Sequence, residues 1–203
     1  MLEKYYESAL EDAKNSLLDD GVIIIPTDTI YGLACLCSSK VAIDRIYDMK
    51  KRDKSKLLPL IVDSYKRLKS VVCVKDEVIN RLSKYFPGAL TIVCKRNPSF
   101  DYFEADTIAV RMINVPLVNK IIETVDSPLC LTSANLSGSE NITDPMELVE
   151  LFDGYIDCVF LDGKCKHNES TIIAINEDDT IALIREGKIK FENILREYNN
   201  AWV

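Results

Sequence analysis

Short apolar runs alternate with segments in which apolar residues recur every third or fourth position, and that alternation predicts the elements. Residues 3–18 carry Ala9, Leu10, Ala13, Leu17 and Leu18 at helical spacing and stop at Asp20-Gly21, a helix with a glycine end. Val22-Ile23-Ile24-Ile25 follows at once, continuous and apolar like a strand buried on both faces, and Pro26 opens the loop Thr27-Asp28-Thr29. Ser39 suits the N-cap of a helix with Ala42, Ile43, Ile46 and Tyr47 on one face, which runs into a basic segment starting at Lys50. A strand is expected at 57–62 and a helix at 76–86, ended by Pro87-Gly88. Strands at 90–94 and 107–112 flank a polar surface loop, 95–106. Helices at 116–125 and 145–152 each begin with proline, and a short buried strand, 128–132, and a long polar loop, 133–143, lie between them. Strands at 156–161, 171–175 and 180–184 precede a closing helix at 189–198, and Asn176-Glu177-Asp178-Asp179 makes an acidic turn between the last two. Without repeat, low-complexity tract or linker, this order predicts one α/β domain over residues 1–203 with a mixed sheet. The late strand pair argues against a purely doubly wound sheet.

Composition narrows the class. Hydrophobic residues make up 47% and charged residues 28%, so a core is expected throughout. The longest apolar runs are too short to span a bilayer, and the charged start does not resemble a signal peptide, so the chain reads as cytosolic. Seven scattered cysteines, with no C-x-x-C, read as free thiols inside apolar runs. The single histidine, His167, makes a Cys/His or Ser/His pair, or a zinc site, a poor fit. A net charge of −7 argues against a general nucleic-acid coat protein. Against it, five of the seven residues from Lys50 to Lys56 are basic, either a solvated face or a site for an anion such as triphosphate.

Three other segments carry chemistry. Pro26-Thr27-Asp28-Thr29-Ile30-Tyr31-Gly32 packs hydroxyls, a carboxylate and a phenol after a buried strand. It is either a ligand loop at a strand end or a turn that bonds its own backbone, with Gly32 supplying a permissive φ. Thr132-Ser133-Ala134-Asn135-Leu136-Ser137-Gly138 can form an anion nest or a run of polar turns. Arg111 lies on one apolar strand and Arg185 at the end of another, and each needs a ligand or an acidic partner there. Neither G-x-x-x-x-G-K-[ST] nor G-x-G-x-x-G occurs.

In this order the segments resemble the YrdC family of threonylcarbamoyladenylate synthases. The resemblance runs from Val22 to Gly187. It rests on Pro26 to Leu33, Ile46-Tyr47 with Lys50-Lys51-Arg52 and Lys56, Phe86-Pro87-Gly88 with Leu90-Thr91, Ala109-Val110-Arg111, Ser133 to Gly138, Glu169-Ser170-Thr171 and Arg185-Glu186-Gly187. It implies an open, twisted mixed sheet flanked by helices around a large basic cavity. It implies that L-threonine, bicarbonate or carbon dioxide, and ATP give threonylcarbamoyl-AMP and pyrophosphate, and that a transferase machinery passes the group to tRNA. By position, Thr29, Arg111 and Ser170 are then threonine-binding, and Arg52, Lys56, Thr107, Ser133, Asn135, Asn141 and Arg185 ATP-binding. Lys50, Arg52 and Lys56 would stabilise charge. The basic run would form one wall of the cavity and Thr29, Ser133 and Arg185 the others. The carbamate is its own nucleophile, so positioning and charge stabilisation suffice. Magnesium would arrive with ATP, held by phosphates and water, with no organic cofactor.

The sequence departs from the family pattern where Asp53, Leu57, Ala89 and Ile113 stand at places commonly occupied by proline. Nothing in it corresponds to the extra C-terminal domain of long family members. Two other functions compete: a paralogue acting on another carbamoyl or acyl-adenylate substrate, and a module holding structured RNA in the basic cavity.

Overall fold

The computed structural model describes residues 2–161 and 169–200, which leaves His167 and Cys165 outside the described residues. Among the described residues the sheet has nine strands: β1 (Ile23–Ile25), β2 (Gly32–Leu36), β3 (Leu60–Val62), β4 (Leu90–Lys95), β5 (Thr107–Met112), β6 (Leu129–Ser133), β7 (Cys158–Val159), β8 (Thr171–Ile175) and β9 (Ile181–Arg185). They lie in the order β7-β1-β2-β6-β3-β5-β4-β8-β9. The pairs β1/β7, β3/β5 and β4/β8 are parallel and the others antiparallel, so the sheet is open and mixed. The helices are α1 (Leu2–Leu18), α2 (Lys40–Lys50), α3 (Tyr65–Val71), α4 (Asp76–Arg81), α5 (Pro116–Val125), α6 (Pro145–Leu151) and α7 (Phe191–Asn200).

Strand alternation divides the interior into two cores. Ile24, Leu33, Leu60, Val110, Ile92 and Ile173 face one side, under α2, α3, α4, α6 and α7. Ile23, Ile25, Ala34, Ile61 and Leu129 face the other, under α1 and α5. That second core stops near β3, so the same face of β5, β4 and β8 is left to line a cavity.

Two elements escape the hydrophobic pattern. The GLACL run of β2 is buried along its whole length, yet it begins with glycine directly after a polar loop and carries no turn signal. Gly32 is there for closeness, not for φ: a Cβ on it would lie 2.4 Å from Leu131 Cδ1 on β6. The polar α3 is fixed by its cap, Ser64 Oγ accepting from Arg67 N at 3.3 Å. The helix expected over 76–86 ends at Arg81 and continues as a 3-10 turn, Ser83–Tyr85. At the end of α1, Asp20 takes the left-handed conformation (φ 55°) in place of the glycine. Gly21 is needed because a Cβ would meet Ser16 O at 2.2 Å. The loop 95–106 is tied down: Phe100 is buried, and Arg96 donates to the carbonyls of Ala105, Asn97 and Phe100. Among the described thiols, Cys35, Cys37, Cys94 and Cys130 are buried and Cys73 is exposed. Burial pushes Cys37 up to about 11 and Cys94 to about 12, so both act as neutral apolar groups.

Candidate active site

Strand register builds the site. Ile61 of β3 pairs with Arg111 of β5, and the Ile92–Val110 pair sets Thr91 of β4 beside Arg111. Thr91 pairs with Ile172 of β8, and Ile172 with Arg185 of β9. One row of side chains therefore crosses five neighbouring strands, and it lies on the face that α1 and α5 leave open. The loop after β1 closes over it with Thr27 and Thr29, and Ser170 and Glu169 enter just before β8. Together they enclose a chamber of about 180 Å³ with Ile61, Leu131 and Ile172 as its apolar wall.

The chamber holds one buried cation. Arg111 is 5% exposed, and each guanidinium nitrogen has a partner: Nε donates to Gly88 O at 2.9 Å, and the two terminal nitrogens to Thr29 Oγ1 at 3.0 Å and Asp28 Oδ1 at 2.5 Å. Desolvation lowers its pKa and the Asp28 carboxylate opposes that, so the group stays charged. Thr27 Oγ1 accepts from Thr29 N and Ile30 N, both at 3.1 Å, which fixes the turn carrying Thr29. The turn thus satisfies its own backbone and still presents Thr29 to the chamber. Opposite, the buried hydroxyls of Thr91 and Ser170 lie 2.9 Å apart.

A second chamber, about 350 Å³, adjoins the first and shares Arg52, Ser133, Glu169 and Arg185 with it. Lys50, Asn135 and Asn141 complete the polar wall, and Gly138 turns its loop at φ 83°. Lys50 is 1% exposed and acts as a clamp on the loop after β6. Its ammonium donates to Ser133 O, to Asn135 O at 2.6 Å and to Asn135 Oδ1 at 3.2 Å. Burial, helped by the Arg52 charge, lowers its pKa to about 8, against the pull of those three oxygens. Arg52 is aimed by its own loop: Nε donates to Lys56 O at 3.1 Å and a terminal nitrogen to Leu57 O at 3.2 Å. Arg185 bonds Ser170 O at 3.0 Å and Glu169 Oε2 at 2.8 Å, and its Nε is buried without an acceptor among the described residues.

The structure gathers Thr29, Arg111 and Ser170 in the first chamber, and Lys50, Arg52, Ser133, Asn135, Asn141 and Arg185 along the second. Two expected ATP contacts stand apart. Thr107 opens β5 four residues before Arg111, about 13 Å along a strand. It is exposed and lines a different groove, with Lys75 and Lys95 at the opposite strand ends. Lys56 is exposed too, and it is its carbonyl, holding Arg52 Nε and the Tyr47 hydroxyl, that serves the site. Lys54 pairs with Asp44 on the rim. Asp28, Thr91 and Glu169 were not singled out as site residues from the sequence. A lone hydroxyl in the apolar run of β4, placed like Arg111 in β5, is the signal that could have found Thr91.

Hydrogen bonds set the rim where the family pattern has proline. Asp53 Oδ1 accepts from Ser55 N at 2.9 Å in an Asx turn, and Leu57 O holds Arg52. Ile113 N donates to Val62 O at 3.2 Å, a bond that proline could not make. Gly187 packs on the segment that carries Ser170: a Cβ there would sit 2.4 Å from Glu169 O and 2.6 Å from Ser170 C. Gly187→Ala should push that backbone aside, at about 1–3 kcal/mol in stability and about 10–100-fold in kcat/KM, read by urea unfolding and turnover.

Known proteins resemble this chain in sequence and in fold. The Sua5/YciO/YrdC family model, described as telomere recombination, matches residues 15–187. A putative threonylcarbamoyl-AMP synthase of Methanocaldococcus jannaschii is 33% identical over 196 residues, covering 96% of this chain and 93% of that protein. A threonylcarbamoyl-AMP synthase of Pyrococcus abyssi is 30% identical over 197 residues, covering 95% of this chain and 58% of that protein. The crystal structure of P. abyssi Sua5 complexed with L-threonine superposes with a TM-score of 0.82 at 28% identity, over 93% of this chain and 56% of that one. E. coli YciO shares the fold, with a TM-score of 0.83 at 24% identity over 92% of each chain.

Proposed function

The chain belongs to the Sua5/YciO/YrdC family, and from that premise we propose that it makes threonylcarbamoyl-AMP and pyrophosphate from L-threonine, bicarbonate or carbon dioxide, and ATP. The observation that carries this is the pair of adjoining chambers, one small and built round a buried guanidinium, the other polar and basic, joined through Arg52, Ser133, Glu169 and Arg185. The smaller chamber suits an amino acid. The Arg111 guanidinium takes the carboxylate, and Thr29, Thr91 and Ser170 offer hydroxyls to its polar groups.

In the proposed reaction the threonine amine attacks the carbon of carbon dioxide and loses a proton to give a carbamate; from bicarbonate the C–OH bond also breaks, and the amine proton leaves with the hydroxide as water. A carbamate oxygen then attacks the α-phosphorus of ATP, the bond to the β-phosphate oxygen breaks, and pyrophosphate leaves. Charge grows on phosphate oxygens, where Arg52 and Arg185 line both chambers and can follow it from reactant to product. Lys50 contributes by holding Ser133 and Asn135 in place. Magnesium accompanies the triphosphate as part of the substrate. Glu140 and the amide oxygen of Asn141, which line the chamber, are hard oxygen donors that would suit such an ion. The mixed anhydride would pass to a transferase acting on tRNA. Among the described residues no helix is long and apolar enough to cross a membrane.

The test is pyrophosphate release by purified protein with magnesium and ATP. It should require both threonine and bicarbonate, and absence of threonine dependence would refute the substrate assignment. Arg52→Ala should raise the KM for ATP about 10–100-fold and leave threonine binding within about twofold. Thr107→Ala should leave both unchanged.

A further inference from the structure

The ladder between β8 and β9 breaks step at one place. Ile175 pairs with Ile181, Ala174 with Ala182 and Ile173 with Leu183, but Ile172 pairs with Arg185 rather than Ile184. Ile184 is therefore a bulge residue, one more on β9 than β8 can match. The shift decides which way Arg185 points, because a one-residue slip moves a side chain to the other face of the sheet. In the unbroken register Arg185 would lie opposite Thr171, on the face of Ile173 and Ile175, which are buried in the core. Opposite Ile172, it lines both chambers.

Thr171 holds that register from across the ladder. It is fully buried at the first position of β8, and its hydroxyl makes three bonds to the backbone just beyond β9. Oγ1 accepts from Gly187 N at 3.0 Å and Ile189 N at 3.1 Å, and donates to Ile189 O at 2.5 Å. Returning β9 to the unbroken register would move this segment by one residue, about 3.4 Å, and break all three. Thr171 is itself fixed, its N donating to Ala89 O at 3.0 Å. A second tie, Lys188 N to Glu169 O at 2.8 Å, brings the same segment against the residue before Ser170. Valine has nearly the same shape as threonine, so packing alone gives no reason for a hydroxyl here.

We propose that Thr171 is a positioning residue for the reaction: its hydroxyl latches residues 187–189 and so keeps β9 in the register that aims Arg185 into the chambers. Thr171 lines neither chamber, so it acts through Arg185. Its kinetic consequence rests on the reaction assigned above, in which Arg185 meets charge on the phosphates.

A double-mutant cycle tests the link. Thr171→Val should lower kcat/KM for threonine-dependent pyrophosphate release about 10–50-fold, through misaiming alone. Thr171→Ser keeps the hydroxyl and should stay within about threefold of the wild type. In an Arg185→Ala background, Thr171→Val should cost no more than about twofold further, since the group it aims is gone. Hydrogen exchange read by mass spectrometry follows the latch without any reaction. In Thr171→Val the peptide over residues 186–190 should exchange about tenfold faster, and the peptide over 134–139 should not change. Thr171→Ala, which leaves space for water at both amides, carries the same expectations if circular dichroism shows the valine variant unfolded. Faster exchange at 186–190 with no threonine dependence in the wild type would refute the reaction and still support the latch. Losses that multiply across the cycle overturn the proposal. So does a serine variant no better than valine, or unchanged exchange at 186–190.

Discussion

Arg111→Ala should abolish threonine-dependent pyrophosphate release, by about 10²–10³-fold or more, and should also cost about 3–5 kcal/mol of stability. Both effects come from one group. The guanidinium is the buried positive charge of the smaller chamber, so without it a bound carboxylate would keep only the more exposed Arg52 and Arg185 as counter-charges. Its removal also orphans the Asp28 carboxylate, which is 16% exposed, together with Gly88 O. Urea unfolding and turnover of the same preparation read the two losses. Arg111→Lys separates them, because one ammonium can hold Asp28 but cannot span Gly88 O and Thr29 Oγ1 as well. It should recover much of the stability and little of the activity. Equal loss of both in the lysine variant would mean that Arg111 serves the fold alone.

Lys50→Met should weaken ATP binding by about 10–100-fold, because the Ser133 and Asn135 carbonyls lose their donor and the loop after β6 loosens. Its stability effect depends on pH, and the sign follows from the lowered pKa. Below about pH 8 both the folded and unfolded chains carry the Lys50 proton, and the full cost of burying the charge is present. Between about 8 and 10.5 the folded chain releases that proton first, so the cost fades as pH rises. Relative to Lys50→Met, the wild type should gain up to about 3 kcal/mol over that window. Comparing unfolding of both proteins at pH 7.5 and pH 10 cancels the titration of the cysteines and tyrosines. A difference that stays flat would show that the three oxygens hold the ammonium charged throughout.

Periodicity read the elements that carry their own punctuation. The helix Pro116–Val125 has proline at its start and apolar positions on one face, and its bounds were legible to the residue. The strand β2 was not legible, since its reason for existing is the close approach to Leu131 that Gly32 allows, a contact about a hundred residues away in sequence. The site divides in the same way. Arg111 and Arg185 announce themselves as charges in apolar strands, and the loop residues Thr29 and Ser133 as polar clusters after strands. Thr107 misleads because position along β5 decides which end of the sheet a residue serves, and Thr107 and Arg111 lie toward opposite ends. Lys50 misleads in another way. The sequence marks it as a cation for phosphate, whereas in the folded chain its donors are spent on the protein's own oxygens.

The row from Ile61 to Arg185 also bears on how the chain becomes active. Its members span residues 61 to 185, and two of its steps, Ile61 to Arg111 and Thr91 to Ile172, join strands far apart in the chain. A chain emerging from the ribosome could complete α1, β1 and β2 early, yet both chambers would still lack Glu169, Ser170 and Arg185. The last strands add as a hairpin to an already assembled sheet edge. Such long-range closure is slow compared with helix formation. Activity should therefore arise late and all at once, and turnover during refolding would report completion of the whole sheet rather than compaction.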